Sequence, residues 1–458
     1  MHKIQVPEIL KKISVAFKSA GFSVYLVGGA VRDHFLGKEH DDLDIATDAT
    51  PDQVARLFKR IIPTGIEHGT VTIIVGDRHI ECTTFRTEEG YTDGRRPDKI
   101  EFAPTIEEDL SRRDFTMNAI AAALPEGIIT DPFNGIQDIR HGIIRTVGDA
   151  KERFSEDGLR PMRAVRFAAQ LGFSIERKTL DAIGPALQVT AQVAIERIRD
   201  EFIKIALAPK PSIGLRCMEE TGLLRLIFPE LQNCRGIEQK GLHEFDVLDH
   251  IYFACDSAPP AIELRLAALF HDIGKPAVRA IGPGGEWTFH NHETESARIA
   301  ENILKRLKFP VKLTQQTTHL IRQHMFNYQS EWTDAAVRRF IVRVGEESIQ
   351  DLFSLRRADT AAITGTPAHA LKHTMLDEFD DRIQKIQKEK HAFALKDLSV
   401  NGGDLVSLGI GPGPVTGKIL NELLETVLDD PELNEKQRLL EIARLIYQKK
   451  FNQEMPVG

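Results

Sequence analysis

Two glycines and three carboxylates carry the first chemical signal in the chain. Gly28 and Gly29 close the apolar run SVYLVGGAV, which reads as a short strand entering a helix. A turn of that kind lets backbone N–H groups approach a phosphate, because no side chain intervenes. Thirteen residues on stands Asp42-Leu43-Asp44. Alternate residues of a strand point to one face, so both carboxylates can reach one hard cation. Mg2+ prefers oxygen ligands and takes one or two carboxylates together with substrate phosphates. Glu81, in the next β-rich run, is a candidate third carboxylate. A lone glycine pair is commonly a tight turn, and a lone Asp-x-Asp commonly a solvated loop. Together, between strand-like runs, they point to metal-assisted phosphoryl transfer, with Asp42, Asp44 and Glu81 as catalytic candidates.

Two further stretches suit a nucleotide. In SRRDFTMNA, Arg112 and Arg113 can bind phosphate or ribose bidentately, while Asp114 and Asn118 have the spacing of one helix face. In RFSEDGLRPMRAVRF, Asp157 and Arg160 form a pair able to read a base. Cytosine and adenine each present an amino donor beside a ring-nitrogen acceptor. A carboxylate accepts from the first and a guanidinium donates to the second. Uracil and guanine present the reverse pattern, and each buried group left unpaired costs roughly 1–3 kcal/mol. Such a pair selects CTP and ATP without a template, leaving Arg163 and Arg166 for the triphosphate or the RNA. The plainer alternative is a surface helix with i,i+3 and i,i+4 ion pairs. Gly158 and Pro161 are poor in a helix interior, so the helix is expected to begin near Leu159 or Arg160, with Glu156 and Asp157 at or before its first turn.

The glycine turn followed by Asp-x-Asp resembles the DNA polymerase β nucleotidyltransferase superfamily. The full series of motifs (Gly28-Gly29, Asp42/Asp44, Arg112–Ala119, Asp131–Gly135, Glu156–Phe167) resembles the class II tRNA nucleotidyltransferases, which include CCA-adding, A-adding and CC-adding enzymes and bacterial poly(A) polymerases. The stretch from Glu196 to Glu201 resembles that family's last helical motif, and the likeness covers about residues 20–230. By resemblance, Asp42 and Asp44 hold Mg2+, Arg113 lies at the sugar, and Asp157 with Arg160 holds the base. Gly28, Gly29, Arg32, Asp114, Asn118, Glu156, Arg163 and Arg166 complete the implied nucleotide site. Pro161 departs from the hydrophobic residue expected there. The stretch TFRTEEGYTDGRRPDK, with Asp93, Arg95 and Arg96, resembles the family's flexible loop, which is intact where the terminal A is added. The implied partners are tRNA, CTP and ATP. Complete CCA addition is the first expectation. The alternatives are an A-adding enzyme working beside a CC-adding partner, or a poly(A) polymerase.

A second cluster lies downstream: His250, His271-Asp272, His290, His292, His324 and Asp359. Imidazole and carboxylate suit Zn, Ni, Mn or Fe. The run FHDIGKP resembles the HD superfamily of metal-dependent phosphohydrolases. That resemblance implies His250, His271, Asp272 and Asp359 as core ligands, with His292 and His324 completing a larger site and His290 set aside. A phosphohydrolase acting on 2′,3′-cyclic or terminal phosphates is thereby expected as a second activity, or as the rival reading of the chain. The alternative is an HD fold whose degraded site serves as an RNA-binding body.

These groups need a strand-rich head and a long helical scaffold to position them. Residues 1–20 read as an amphipathic helix, VTIIVGDRHIECTTFR as a hairpin turning at Gly76-Asp77, and IITDPFNGIQDIRHGIIRTVG as short strands and turns. From about Ala150 the pattern is helical. The expected fold is α+β: a polymerase-β-like head (1–150), then a helical neck (151–232), an HD-type body (233–370) and a helical tail (371–458), with breaks near Leu231–Gly241 and Gly365–Pro367. The 458 residues carry a net charge of −8, which argues weakly against nucleic acid. Between Lys151 and Arg166, however, five basic residues face three acidic ones. No run of eighteen apolar residues occurs, so no membrane span is expected. Four cysteines without a CxxC pair suggest a reduced, cytoplasmic protein.

Overall fold

The computed structural model describes residues 3–39, 42–66, 69–89, 99–239, 244–365, 374–389 and 394–451. The first helix, Glu8–Ser19, buries Leu10, Ile13 and Phe17 along one stripe, as its periodicity requires. Among the described residues it is followed by strands β1 Val24–Val27, β2 Asp44–Thr47, β3 Ile61–Gly65, β4 Thr70–Val75, β5 Arg78–Thr84, β6 Arg86–Glu89, β7 Lys99–Phe102, β8 Ala121–Ala123 and β9 Ile128–Thr130, and by the short strand Ile143–Ile144, which pairs with Ser174–Ile175. Seven of them form one mixed sheet in the order β3-β4-β5-β2-β1-β8-β9. The expected hairpin is β4–β5, joined at Gly76-Asp77. The β2–β5 pair is parallel and sets Asp44 opposite Glu81, while Val27, just before the glycine turn, pairs with Asp44 across β1–β2.

Strands β6 and β7 form an antiparallel ribbon at the flanks of the loop-like stretch. Asp93, Arg95 and Arg96, which fall between them in sequence, lie outside the described residues. The region read as short strands and turns after Ile128 needs one correction: Gly135–His141 is a helix. Asn134 precedes it in a left-handed conformation (φ 58°), and both Asp131 carboxylate oxygens accept from its first N–H groups, on Gly135 and Ile136. A Cβ on Gly135 would stand 2.1 Å from the Thr116 carbonyl, so this glycine permits the close approach of two segments.

From Ala150 the chain is helical apart from short strand pairs. Helix Arg160–Leu171 starts where Gly158 and Pro161 require. Glu156 and Asp157 lie before it, as expected: Glu156 ends the preceding helix, Ala150–Glu156, and Asp157 is its C-cap. Helix Val247–Ser257 packs on Ile349–Thr364, and His292–Arg306 on Val311–Gln323. One continuous apolar core runs from Ile4 to Ile386, taking in Phe379 and Ile383, whereas Leu398 to Tyr447 form a separate small core. Of the expected breaks, residues 240–241 and Thr366-Pro367 lie outside the described residues. No helix among the described residues is long and apolar enough to cross a membrane.

Candidate functional site

One cavity of about 860 Å³ opens between the sheet and the helix Arg160–Leu171. It brings together Gly28, Gly29, Arg32, Asp44, Glu81, Arg113, Asp114, Asn118, Asp157, Arg160, Arg163 and Arg166. Two candidates do not line it. Asp42 stands exposed at the entrance to β2, and Glu156 sits behind Arg160. Among the described residues, eight arginines line the cavity against four carboxylates, so a polyanion is matched locally despite the negative net charge.

The glycine turn is shaped for close approach. Gly28 has φ +70°, and a Cβ there would lie 3.2 Å from Arg113 Nη1 and 3.9 Å from Asp44 Oδ2. Beyond it, Asp42 and Asp44 are open while Leu43 is buried, the alternation expected of a strand. Although Asp44 faces the open cleft, its carboxyl is pushed up to about 6, first by its partly buried setting, then by Glu81 and Asp42, with Arg113 opposing. Repulsion among carboxylates that a cation would relieve, with oxygen donors throughout, fits Mg2+.

Asp114 and Asn118 meet as expected, with Asn118 Nδ2 donating to Asp114 Oδ1 at 3.2 Å, but on a 3-10 turn (Thr116–Asn118) rather than one face of an α-helix. Asn118 Oδ1 accepts from Arg32 Nη1 at 2.9 Å, and Asp114 Oδ2 accepts from Arg163 Nε at 2.7 Å. Arginines from the helices Gly29–Phe35 and Arg160–Leu171 are thus joined through one Asp–Asn pair. Asp157 accepts from the Leu159 N–H at 3.0 Å and from Arg197 Nη2 at 3.3 Å. Arg160 is 7% exposed; it donates to the Arg153 carbonyl at 2.9 Å, to the Arg112 carbonyl at 3.0 Å and to Glu156. Its Nε hydrogen and its second Nη2 hydrogen have no partner among the described residues, so donors are left for a base.

The second cluster is equally well assembled. Nε2 of His250 lies 3.1 Å from Asp359 Oδ1 and 3.4 Å from Asp272 Oδ2, while His271 Nε2 lies 3.3 Å from Asp272 Oδ2. On the other side of the same carboxylate, His292 Nε2 is 3.1 Å from Asp272 Oδ1 and 3.4 Å from His324 Nε2. Ligand atoms of His250, His271 and Asp272, and separately those of Asp272, His292 and His324, fall within 4.8 Å of one another. Asp272 belongs to both groups, each of which has donor atoms close enough to hold a metal ion. His271, His292 and His324 each direct Nδ1 at a backbone carbonyl, at 2.8, 2.8 and 2.7 Å. That orientation fixes the tautomer and aims Nε2 inward, as in metal-binding histidines. His290 is exposed and takes no part.

Comparison with known proteins follows the same outline. Three family profiles match in succession: "Poly A polymerase head domain" over 24–145, "Probable RNA and SrmB- binding site of polymerase A" over 172–234, and a tRNA nucleotidyltransferase domain 2 over 286–443. The CCA-adding enzyme of Lactiplantibacillus plantarum is 35% identical over 444 residues, covering 95% of each chain. This chain belongs to the CCA-adding enzyme family. Its relative from Levilactobacillus brevis is 34% identical over 94% of this chain and 96% of its own length. The crystal structure of the Bacillus stearothermophilus CCA-adding enzyme in complex with CTP superposes with a TM-score of 0.73 at 28% identity, covering 97% of this chain and 99% of that one.

In this member of the CCA-adding family, sequence reasoning overlooked Asp109. It is fully buried and accepts from Arg112 Nη2 at 2.8 Å and from Arg113 Nη2 at 3.2 Å, aiming both arginines. The available signal was its position three and four residues before the arginine pair. Lys275, bonded to Asp272 at 2.6 Å, was overlooked too.

Asp114 yields a pH prediction. Burial would raise its pKa, but Arg163, Asn118 and Arg160 outweigh that and hold it down to about 2. A carboxylate with a folded pKa below its unfolded value contributes stability above the unfolded value and loses it as pH falls towards the folded one. Asp114→Asn is expected to cost about 2 kcal/mol at pH 7, and the gap from the parent to narrow between about pH 4 and pH 2. Urea unfolding at pH 7 and pH 3 checks this; a gap equal at both values contradicts it.

Proposed function

We propose that this protein is a template-independent tRNA nucleotidyltransferase that adds C, C and A to the tRNA 3′ end from CTP and ATP. The observation that carries this reading is the single cavity in which the glycine turn, Asp44 with Glu81, and Asp157 with Arg160 converge. The RNA 3′-hydroxyl oxygen bonds to the α-phosphorus of the bound nucleotide, the bond to the β-phosphate oxygen breaks, and pyrophosphate and a proton are released. Family members use a divalent metal. We assign Asp44 and Glu81, with the exposed Asp42 at the entrance to the same strand, to hold it, and Mg2+ there would neutralise charge developing on the transferring phosphate. The N–H groups of the Gly28-Gly29 turn and the cavity arginines bind the triphosphate, Arg113 contacts the ribose, and Asp157 with Arg160 reads the base edge. Since one chain of this family supports the whole programme, no separate CC-adding partner is required. We take 1–150, 151–232, 233–370 and 371–458 as head, neck, body and tail. We place the protein in the cytoplasm, a reading supported by its four unpaired cysteines.

Asp157→Ala tests the base-reading role. Removing the acceptor for the amino group is expected to lower discrimination of CTP and ATP against UTP and GTP by about 10- to 100-fold. Ratios of kcat/KM for the four nucleotides on one tRNA measure this; ratios equal to the parent's reject the assignment.

The histidine–aspartate cluster favours a second activity. We propose that the body binds divalent metal (Ni, Mn, Zn or Fe) and hydrolyses phosphate esters at RNA 3′ ends. Metal in the cluster would act as a Lewis acid towards the phosphoester. A water oxygen bonds to phosphorus, one ribose P–O bond of a 2′,3′-cyclic phosphate breaks, and the ribose oxygen takes the proton. Loss of the remaining monoester by a second hydrolysis would expose the 3′-hydroxyl that the head extends.

A further inference from the structure

Phe167 has no part in the chemistry above, yet it forms a wall of the nucleotide cavity while only 5% exposed. Three guanidinium carbons stand over its ring: Arg166 at 4.0 Å from the centroid, Arg32 at 5.2 Å and Arg163 at 5.7 Å. Arg32 belongs to the helix that follows the glycine turn, Gly29–Phe35, whereas Arg163 and Arg166 share the neck helix with Phe167 itself. Phe115 packs against the ring edge-on at 5.8 Å and fixes its plane.

Three like charges gathered this closely repel one another. Each has its own polar partner: Asp33 and Asn118 for Arg32, Asp114 for Arg163, and Glu201 for Arg166. None of those partners holds all three. The ring does, because the negative face of its quadrupole attracts each cation without taking up N–H donors. The guanidiniums therefore converge with hydrogen-bonding capacity in reserve, which is what a tail of several phosphate groups needs.

We propose that Phe167 is a positioning residue, whose ring gathers Arg32, Arg163 and Arg166 into one clamp for the triphosphate of the incoming nucleotide, across the junction of head and neck. The triphosphate is favoured over the RNA backbone because the clamp includes Arg32, one turn beyond the glycine pair and within the same cavity as Asp44. The inference rests on the nucleotide-addition reading above.

The test replaces Phe167 with leucine and, separately, with mono-, di- and trifluorophenylalanine, which weaken the ring quadrupole at nearly constant volume. Phe167→Leu is expected to raise KM for CTP and ATP about tenfold, with KM for tRNA changed less than about twofold. Across the fluorinated series, KM for both nucleotides should rise with each fluorine while Tm stays level. A flat series overturns the proposal even if the leucine variant is impaired or fails to fold, since packing alone then explains the residue. A parallel rise in KM for tRNA also overturns it, assigning the cage to RNA. Absence of incorporation by the parent enzyme in the same assay would instead reject the nucleotide-addition reading itself.

Discussion

Replacing Asp44 with asparagine is expected to lower nucleotide incorporation by about a thousandfold, the kinetic equivalent of roughly 4 kcal/mol of transition-state stabilisation. Asp44 is the one carboxylate of the Asp-x-Asp pair that lines the cavity, and it stands in register with Glu81 on the adjacent parallel strand. No neighbouring acid can replace it without leaving its own strand position. The fold should not suffer. The Asp44 carboxyl is raised to about 6 by its partly buried setting and by Glu81 and Asp42. An acid with a higher pKa in the folded state than in the unfolded one opposes folding above that range, so its removal relieves repulsion at pH 7. Without added metal, Asp44→Asn should therefore melt no lower than the parent, and its affinity for tRNA should match the parent's. Incorporation within tenfold of the parent's, or a clear fall in Tm, contradicts this role.

The second large effect concerns the body. Asp272 touches both halves of the histidine cluster, Oδ2 facing His250 and His271 and Oδ1 facing His292. Asp272→Ala is expected to abolish tight metal uptake and hydrolysis of a 2′,3′-cyclic phosphate, with CCA addition retained. Because Asp272 also pairs with the buried Lys275, His292→Ala serves as a second variant that disturbs only one half. It should lose about one metal equivalent and most of the hydrolysis. Metal content after dialysis and phosphate release provide the readouts. A parent protein that takes up none of Ni, Mn, Zn or Fe rejects the centre. A loaded parent that releases no phosphate rejects the hydrolase while leaving the centre in place.

Both predictions begin from residues that the sequence displays openly. Asp42-Leu43-Asp44 and His271-Asp272 are adjacent or nearly so, and their side-chain chemistry is restrictive. The hairpin at Gly76-Asp77 was likewise legible from β-rich runs around a turn pair. What escaped notice depended on how side chains fold back onto their own segment, on contacts between segments, or on one-residue backbone effects. Helix Gly135–His141 is too short to show a period, and it begins from a left-handed Asn134 and the Asp131 carboxylate. Asp109 reads as one more acid at a helix start until Arg112 and Arg113 are seen folded back onto it. Arg160 looks like a free reader of bases, whereas most of its donors already tie the Arg112 carbonyl, the Arg153 carbonyl and Glu156 together. Its bond to the Arg112 carbonyl ties the helix Arg160–Leu171 to the segment that carries the arginine pair, a contact that no local pattern could reveal.

The central claim is tested most directly with two tRNA transcripts, one ending before CCA and one ending in CC, each incubated with Mg2+ and α-labelled CTP or ATP, singly and together. The account predicts that the first transcript gains two C residues from CTP alone and C, C and A from both, and that the second gains one A. Extension of the CC-ended transcript alone would contradict complete CCA addition, and no incorporation on either would contradict the nucleotidyltransferase reading as a whole.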